Sequence, residues 1–291
     1  MYSQIAANKR KTVYIMVLFV FLIGLIGYAY GLAVGDTSTL YVIFSFAIIY
    51  SMISYFVSSK VALAVNGAKQ IEKKDNPRLY RIVENLAITT GLPTPKVYIM
   101  NDPAPNAFAT GRDPKNASVA VTAGLLEIMD DKELEGVLAH EMGHIQNYDI
   151  RVMMIVFACV SVIGLLSDFL LRIMFFGGDD RNNDNQIAML LSIVLAILTP
   201  IVAAMVQLAV SRRREYLADA TGALTTRYPQ GLESALEKLK THSTATRRPN
   251  SSTAHLFFAN PLRKKGFSNL FSTHPPLDER IAKLKQMETS L

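Results

Sequence analysis

The clearest chemical signal is a run of five residues, His140-Glu141-Met142-Gly143-His144. Histidines four apart stack on one face of a helix, so their imidazoles can converge on a single cation. Glu141, roughly 100° further round the helix, can reach a water on that cation without coordinating it. This is the HExxH spacing, whose mechanics are metal-assisted hydrolysis and whose required context is a helix. A tetrahedral catalytic zinc needs a third protein ligand and an open position for water. The next histidine, His242, is remote, and the better candidate lies in Arg214-Glu215-Tyr216-Leu217-Ala218-Asp219. Glu215 and Asp219 are also four apart. One carboxylate can bind the metal while the other accepts a hydrogen bond from the distal N–H of a ligand histidine. Gly143 weakens its helix by ~1 kcal/mol relative to alanine and is expected to leave space beside the metal.

The rest of the chain must position these groups. Of its 291 residues 50% are hydrophobic and 19% charged, against about 25% charged in a soluble globular protein. With a mean hydropathy of +0.23, disorder is excluded and an all-soluble protein is disfavoured. Four apolar runs, 12–35, 37–59, 152–176 and 187–211, approach or exceed the ~20 residues a membrane crossing needs. The third is interrupted by Asp168 and Arg172, four apart on one helical face. Four spans are therefore expected, with a re-entrant hairpin of the third and fourth as the rival geometry. The first run has too long an apolar core for a cleaved signal peptide and reads as an anchor. Lys9, Arg10, Lys11, Lys60, Lys69, Lys73, Lys74 and Arg212, Arg213, Arg214 flank these runs on one side, and Asp36, Asp179, Asp180 and Asp184 on the other. Both termini and both polar stretches are thus expected in the cytoplasm. The same basic flanks account for the formal charge of +6. No nucleic-acid-binding motif is recognisable, and nucleic acid is not expected as a partner. The single cysteine, Cys159, cannot form an intrachain disulfide and is expected to pack within a span.

The polar stretches, roughly 61–151 and 212–291, carry ordinary punctuation. Asn76-Pro77 opens a helix that Gly91 ends. Strand signals follow at 96–100, around Asn106-Ala107-Phe108-Ala109, and at 118–122. Asp130 or Asp131 caps a helix with an acidic first turn, running to about Tyr148. Further helices are expected near 212–225, 229–240 and 276–287. The expected fold class is α+β, mostly helical: a multi-pass membrane protein with a cytoplasmic zincin-like catalytic domain, an HExxH helix plus a small sheet. Its four parts are two spans (1–60), a catalytic part (61–151), a second hairpin (152–211) and a helical part (212–291). An antiparallel hairpin over 152–211 returns Glu215 to the membrane face that holds the histidines. His242 and His255 are expected at a helix end and in a loop.

These residues carry a resemblance over essentially the whole chain. HEMGH, Arg214-Glu-Tyr-Leu-Ala-Asp219, Asn106-Ala-Phe-Ala-Thr-Gly111 and Phe271-Ser-Thr-His-Pro-Pro-Leu-Asp-Glu-Arg-Ile281 resemble the HtpX-type heat-shock membrane metalloproteases, relatives of the CAAX-prenyl endoproteases. The resemblance implies one zinc per chain on His140, His144 and Glu215, with Glu141 as general base. It implies an endopeptidase that cleaves misfolded or damaged membrane proteins in quality control at the bacterial inner membrane. By the same analogy His274 would donate to the oxyanion, Arg280 would pair with Asp219 or a neighbouring carboxylate, and Asn106, Ala107, Phe108 and Ala109 would form the sheet edge to which an extended substrate adds. No stable protein partner is implied. An intramembrane protease would want HExxH inside an apolar span, and 130–151 is too charged for that. A non-catalytic zinc-binding membrane scaffold or sensor is the alternative from another class; Glu141 would have no purpose in it.

Overall fold

Asp130 starts the central helix as half of a capping box. Its Oδ1 accepts from the backbone N–H of Lys132 and Glu133 at 2.8 and 2.9 Å, while the Glu133 carboxylate accepts from the Asp130 N–H at 2.8 Å. In the computed structural model, which describes residues 2–34, 38–176, 212–242, 253–259 and 275–288, this helix is the centre of the main core. Helices α1 (Tyr2–Val34) and α2 (Ser38–Val65) come first, followed by strand β1 (Ala68–Gln70) and helix α3 (Pro77–Thr90). Strands β2 (Lys96–Met100), β3 (Ala107–Thr110) and β4 (Ser118–Thr122) lead into the short helix α4 (Ala123–Ile128). The central helix is α5 (Asp131–Gln146), and α6 (Asp149–Phe176) succeeds it. Helices α7 (Arg212–Thr226), α8 (Pro229–His242) and α9 (Leu277–Glu288) complete the order.

The fold is mostly helical with one small sheet, as expected. The sheet order is β1-β2-β4-β3; β2 and β4 are parallel, and the two outer pairings are antiparallel. Two elements carry no clear sequence signal: β1, only three residues long, and α4, whose cap is Thr122 at the end of β4. By contrast α3 obeys local rules throughout. Asn76 accepts from the Leu79 N–H at 3.0 Å, Pro77 occupies the first turn, and Gly91 closes the helix at φ 68°. The main core joins α3 (Leu79, Val83, Leu86), the sheet (Val97, Val119, Val121), α5 (Leu134, Val137, Leu138) and α8 (Leu232, Leu236, Leu239).

A second apolar cluster is separate. Ile15 and Phe19 of α1, Ala47 of α2, and Val152, Ile155, Val156 and Cys159 of α6 bury one another. The outward faces of α1 and α2 remain strongly apolar and exposed, including Val13, Val17, Phe21, Tyr41, Ile49, Ile53 and Phe56. A surface of this kind is suited to lipid rather than water. Among the described residues, one helix, Tyr41–Val65, is long and apolar enough to cross a membrane, and α5 with α6 as far as Ile163 form a second apolar stretch bent by 80°.

The bend falls where the sequence ends the central helix, expected at about Tyr148. The helix ends at Gln146, and Tyr148 adopts φ 61°, a left-handed conformation uncommon outside glycine. The chain turns there and restarts at Asp149, re-aiming that carboxylate at the site.

Candidate active site

The two histidines of α5 face a common point. Their Nε2 atoms are 3.1 Å apart, and the Glu215 carboxylate of α7 approaches them at 3.8 Å (His140) and 3.5 Å (His144). All three side chains are buried, and one donor atom from each fits within 4.8 Å of the others. Each imidazole is held from behind. His140 donates from Nδ1 to Asp219 at 2.8 Å, and His144 from Nδ1 to Asp149 at 3.0 Å. These bonds place the lone pair of each Nε2 toward the shared point, the arrangement a metal-ligating histidine requires.

The two supporting carboxylates are anchored in turn. Arg280, wholly buried in the first turn of α9, grips Asp219 through Nη2 at 2.7 Å and Nε at 2.9 Å. Arg214 reaches Asp149 at 3.2 Å, and Asn8 of α1 donates to the same carboxylate at 2.7 Å and to the Asn147 carbonyl at 2.9 Å. The N-terminal helix is thereby tied to the site. Among the buried charges, Asp149 pairs with Arg214 and Asp219 with Arg280, while the Glu215 carboxylate faces both imidazoles. Two imidazole nitrogens and a carboxylate oxygen suit a first-row transition metal.

The titrating groups respond first to burial and then to their charged neighbours. Burial pushes the Glu141 carboxyl up to about 7; the Glu215 charge adds to the rise, while His144, a backbone hydrogen bond from Ala109 and Arg280 restrain it. Burial drives His140 down to about 4; Asp219 opposes this and Arg280 reinforces it. For His144, burial disfavours the charged ring, but Asp149, Glu215 and Glu141 outweigh it and hold the group up to about 9.

Backbone proximity sets the geometry between α5 and α7. A Cβ at Gly222 would lie 3.0 Å from the His140 nitrogen, so any larger residue would push the α5 backbone at the histidines back by a few tenths of an ångström. Gly143 differs from its sequence expectation. It faces Ala218 and Thr221 of α7, where a Cβ would make ordinary contacts at 3.4 and 3.5 Å, so it borders the neighbouring helix rather than open space.

The expected substrate strand is also modified. β3 ends the sheet, one residue later than expected, and Asn106 precedes it. Its outer edge is not open at that point. The Phe258 N–H donates to the Ala107 carbonyl at 2.8 Å. The Asn106 side chain donates to the Ala259 carbonyl at 2.8 Å and accepts from its N–H at 3.0 Å. Phe257 packs edge-on against Phe108, and Phe258 against His140, with ring centroids 5.1 and 4.9 Å apart. The chain's own 257–259 segment therefore lies where an added strand would start.

Other sequence-level candidates fall as follows. His255 is buried, with Nε2 3.3 Å from the Met153 carbonyl, and His242 ends α8. His274 lies outside the described residues, as do 177–211, which hold the expected fourth apolar run. Four groups escape sequence reasoning: Asp149, Asn8, Arg214 and Phe258. Asp149 alone leaves a faint signal, an acid shortly after the HEMGH run, but a straight helix would carry it away from His144.

Comparison with known proteins agrees with this geometry. The model of peptidase family M48 matches residues 73–288. A "Protease HtpX homolog" of Tropheryma whipplei (strain Twist) is 53% identical over 287 residues, covering 99% of this chain and 98% of the relative. Homologs with the same name from Dictyoglomus turgidum (43% identity, 98% of this chain and 94% of the relative) and Streptococcus gordonii (43%, 99% and 100%) are also similar. In fold, the chain resembles the crystal structure of S. mikatae Ste24p, with a TM-score of 0.53 at 21% identity, covering 98% of this chain and 67% of that one. With a family match over most of its length and full-length relatives at these identities, the chain belongs to peptidase family M48 and is a metalloprotease.

Proposed function

We propose that the chain is a zinc-dependent endopeptidase in which His140, His144 and Glu215 hold the metal and Glu141 is the general base. The observation that carries this reading is the convergence of both Nε2 atoms and the Glu215 carboxylate on one buried point, with the Glu141 carboxyl alongside and taking a hydrogen bond from Ala109 of β3. A zinc ion bound there supplies a Lewis acid that acidifies water and polarises a carbonyl. Glu141 takes the proton of the attacking water and delivers it to the leaving amine nitrogen. Its position beside β3 puts this transfer next to the strand edge where the peptide would lie. Asp219 and Asp149 keep each ligand histidine in the tautomer that leaves Nε2 free. His274 is retained from the sequence as the oxyanion donor.

The substrate adds as a strand to the outer edge of β3, replacing the Phe258 N–H at the Ala107 carbonyl and Ala259 at the Asn106 amide. The membrane reading follows from the exposed apolar faces of α1 and α2, the apolar character of Tyr41–Val65, and the basic residues at their ends. The active site then faces the cytoplasm of a bacterial inner membrane. The 152–211 stretch forms a second membrane hairpin, and the substrates are misfolded or damaged membrane proteins. The HtpX name of the relatives supports a stress-response role.

The test is a paired measurement on wild type and Glu141→Gln in detergent: metal content by elemental analysis, together with cleavage of an unfolded polypeptide. Both proteins are expected to hold about one zinc, and only wild type to cleave. If both hold zinc and Glu141→Gln still cleaves at the wild-type rate, the assignment of the base fails. If neither cleaves any substrate, including membrane proteins, the scaffold reading replaces this one.

A further inference from the structure

Where α2 ends, its Phe56, Ser59, Lys60 and Leu63 share one helical face and form a wall of a recess of about 200 Å³. The start of β2 and the connection from β3 to β4 close the other sides. Four cations line this recess: Lys60, Lys96, Arg112 and Lys115. The one nearby acid is already engaged, since Asp113 accepts from the Asn116 side chain at 2.9 Å and pairs with Arg112 at 3.4 Å. Lys60, Lys96 and Lys115 have no carboxylate partner among the described residues. Several lysines elsewhere do pair, among them Lys73 with Glu84, Lys132 with Glu135, Lys238 with Glu133 and Lys240 with Asp278; what sets the recess apart is that three unpaired lysines share one concavity. With Arg112 partly balanced by Asp113, the three lysines still bring like charge to one concavity, which favours an anion there. The Ser59 and Thr94 hydroxyls line the same recess and add donors for anion oxygens.

The position of the recess selects the anion. Lys60 belongs to the last turns of the apolar helix Tyr41–Val65. One turn back is Phe56, with the Arg112 guanidinium 5.2 Å above its ring, and a further turn back are the exposed Met52 and Ile53. A cationic pocket that opens directly onto an exposed apolar helix face matches a molecule with a phosphate at one end and hydrocarbon at the other. We propose that this recess binds the phosphodiester headgroup of an anionic glycerophospholipid, with its acyl chains lying along the Phe56, Met52 and Ile53 face of α2. The site is separate from the catalytic cluster and rests on the reading of α2 as a membrane span. Lipid held there would fix the depth at which β2 and the connection between β3 and β4 meet the bilayer surface.

The experiment uses the full-length protein in nanodiscs of phosphatidylcholine containing a minority of phosphatidylglycerol, followed by mild extraction and a count of retained lipids. Wild type is expected to keep phosphatidylglycerol in excess of its share in the bilayer. The Lys60→Gln, Lys96→Gln, Lys115→Gln triple variant is expected to lose at least roughly tenfold of that enrichment. A control triple variant, Lys74→Gln, Lys132→Gln, Lys240→Gln, removes the same charge elsewhere and is expected to keep it. Equal enrichment in wild type and the recess variant overturns the proposal, as does an equal loss in the control. Millimolar inorganic phosphate, given in place of lipid, distinguishes the sources: if it raises the melting temperature of the delipidated wild type while phosphatidylglycerol is not enriched, the recess takes free phosphate and the lipid assignment fails. Flotation with pure phosphatidylcholine vesicles, run on the same samples, reports separately whether α2 enters a bilayer.

Discussion

Asp219→Asn separates two roles that one carboxylate performs. Asp219 accepts from His140 at 2.8 Å and from Arg280 at 2.7 and 2.9 Å, and all three side chains are almost completely buried. Breaking a buried ion pair by removing one partner costs about 3–5 kcal/mol, because the remaining charge has no water to turn to. Asparagine keeps one acceptor oxygen, so the loss should fall near the lower figure, about 3 kcal/mol. Independently, a ligand histidine that loses its supporting carboxylate binds metal roughly 10- to 100-fold more weakly. Denaturant unfolding of the full-length protein in detergent, with chelator present, reads the first effect; competition against a chelator of known zinc affinity reads the second. Adding Arg280→Met removes the uncompensated guanidinium. The double variant should therefore recover most of its stability while metal binding stays weak, since His140 still lacks its carboxylate. A stability loss below about 1 kcal/mol together with unchanged zinc affinity in Asp219→Asn would refute the reasoning.

Three further outcomes follow from the same geometry. Asp149→Asn should weaken metal binding by roughly 10- to 100-fold, and Asn8→Ala should do so to a smaller extent by loosening Asp149; an unchanged chelator titration in both would show that the restart of α6 does not serve the site. Gly222→Ala should lower cleavage activity sharply, because its Cβ would press on the His140 backbone at 3.0 Å, whereas Gly143→Ala should be tolerated and raise stability by up to ~1 kcal/mol. Equal activities for these two alanine variants would contradict the close crossing of α5 and α7. Ala259→Pro deletes the N–H that Asn106 accepts and should lower KM for an unfolded polypeptide by releasing the β3 edge. A raised KM would instead make the 257–259 segment part of the groove.

Local chemistry wrote much of this protein into its sequence. The HEMGH spacing needs only a helix to bring two imidazoles together, and Asp130 with Glu133 starts that helix by reciprocal capping. Asn76, Pro77 and Gly91 delimit α3 by backbone rules that act within a few residues. Glu215 and Asp219 were recognisable as a pair because a helix repeats every four positions, and Asp219 does support His140. The tertiary structure decided what no short window encodes. Tyr148, not a glycine, takes the left-handed turn that aims Asp149 at His144, so the sequence marks a helix end nearby but not the direction in which the chain restarts. Asn8 reaches the site across 141 positions of chain, and Arg214 across 65. Gly143 could be read for its helix propensity, but that it lies against α7 rather than open space appears only once the helices cross. The β3 edge reads as free until the 257–259 segment, distant in sequence, supplies its hydrogen bonds. Periodicity and capping are short-range and survive in a linear text; charge balance, edge occupancy and close backbone approach depend on which distant surfaces meet.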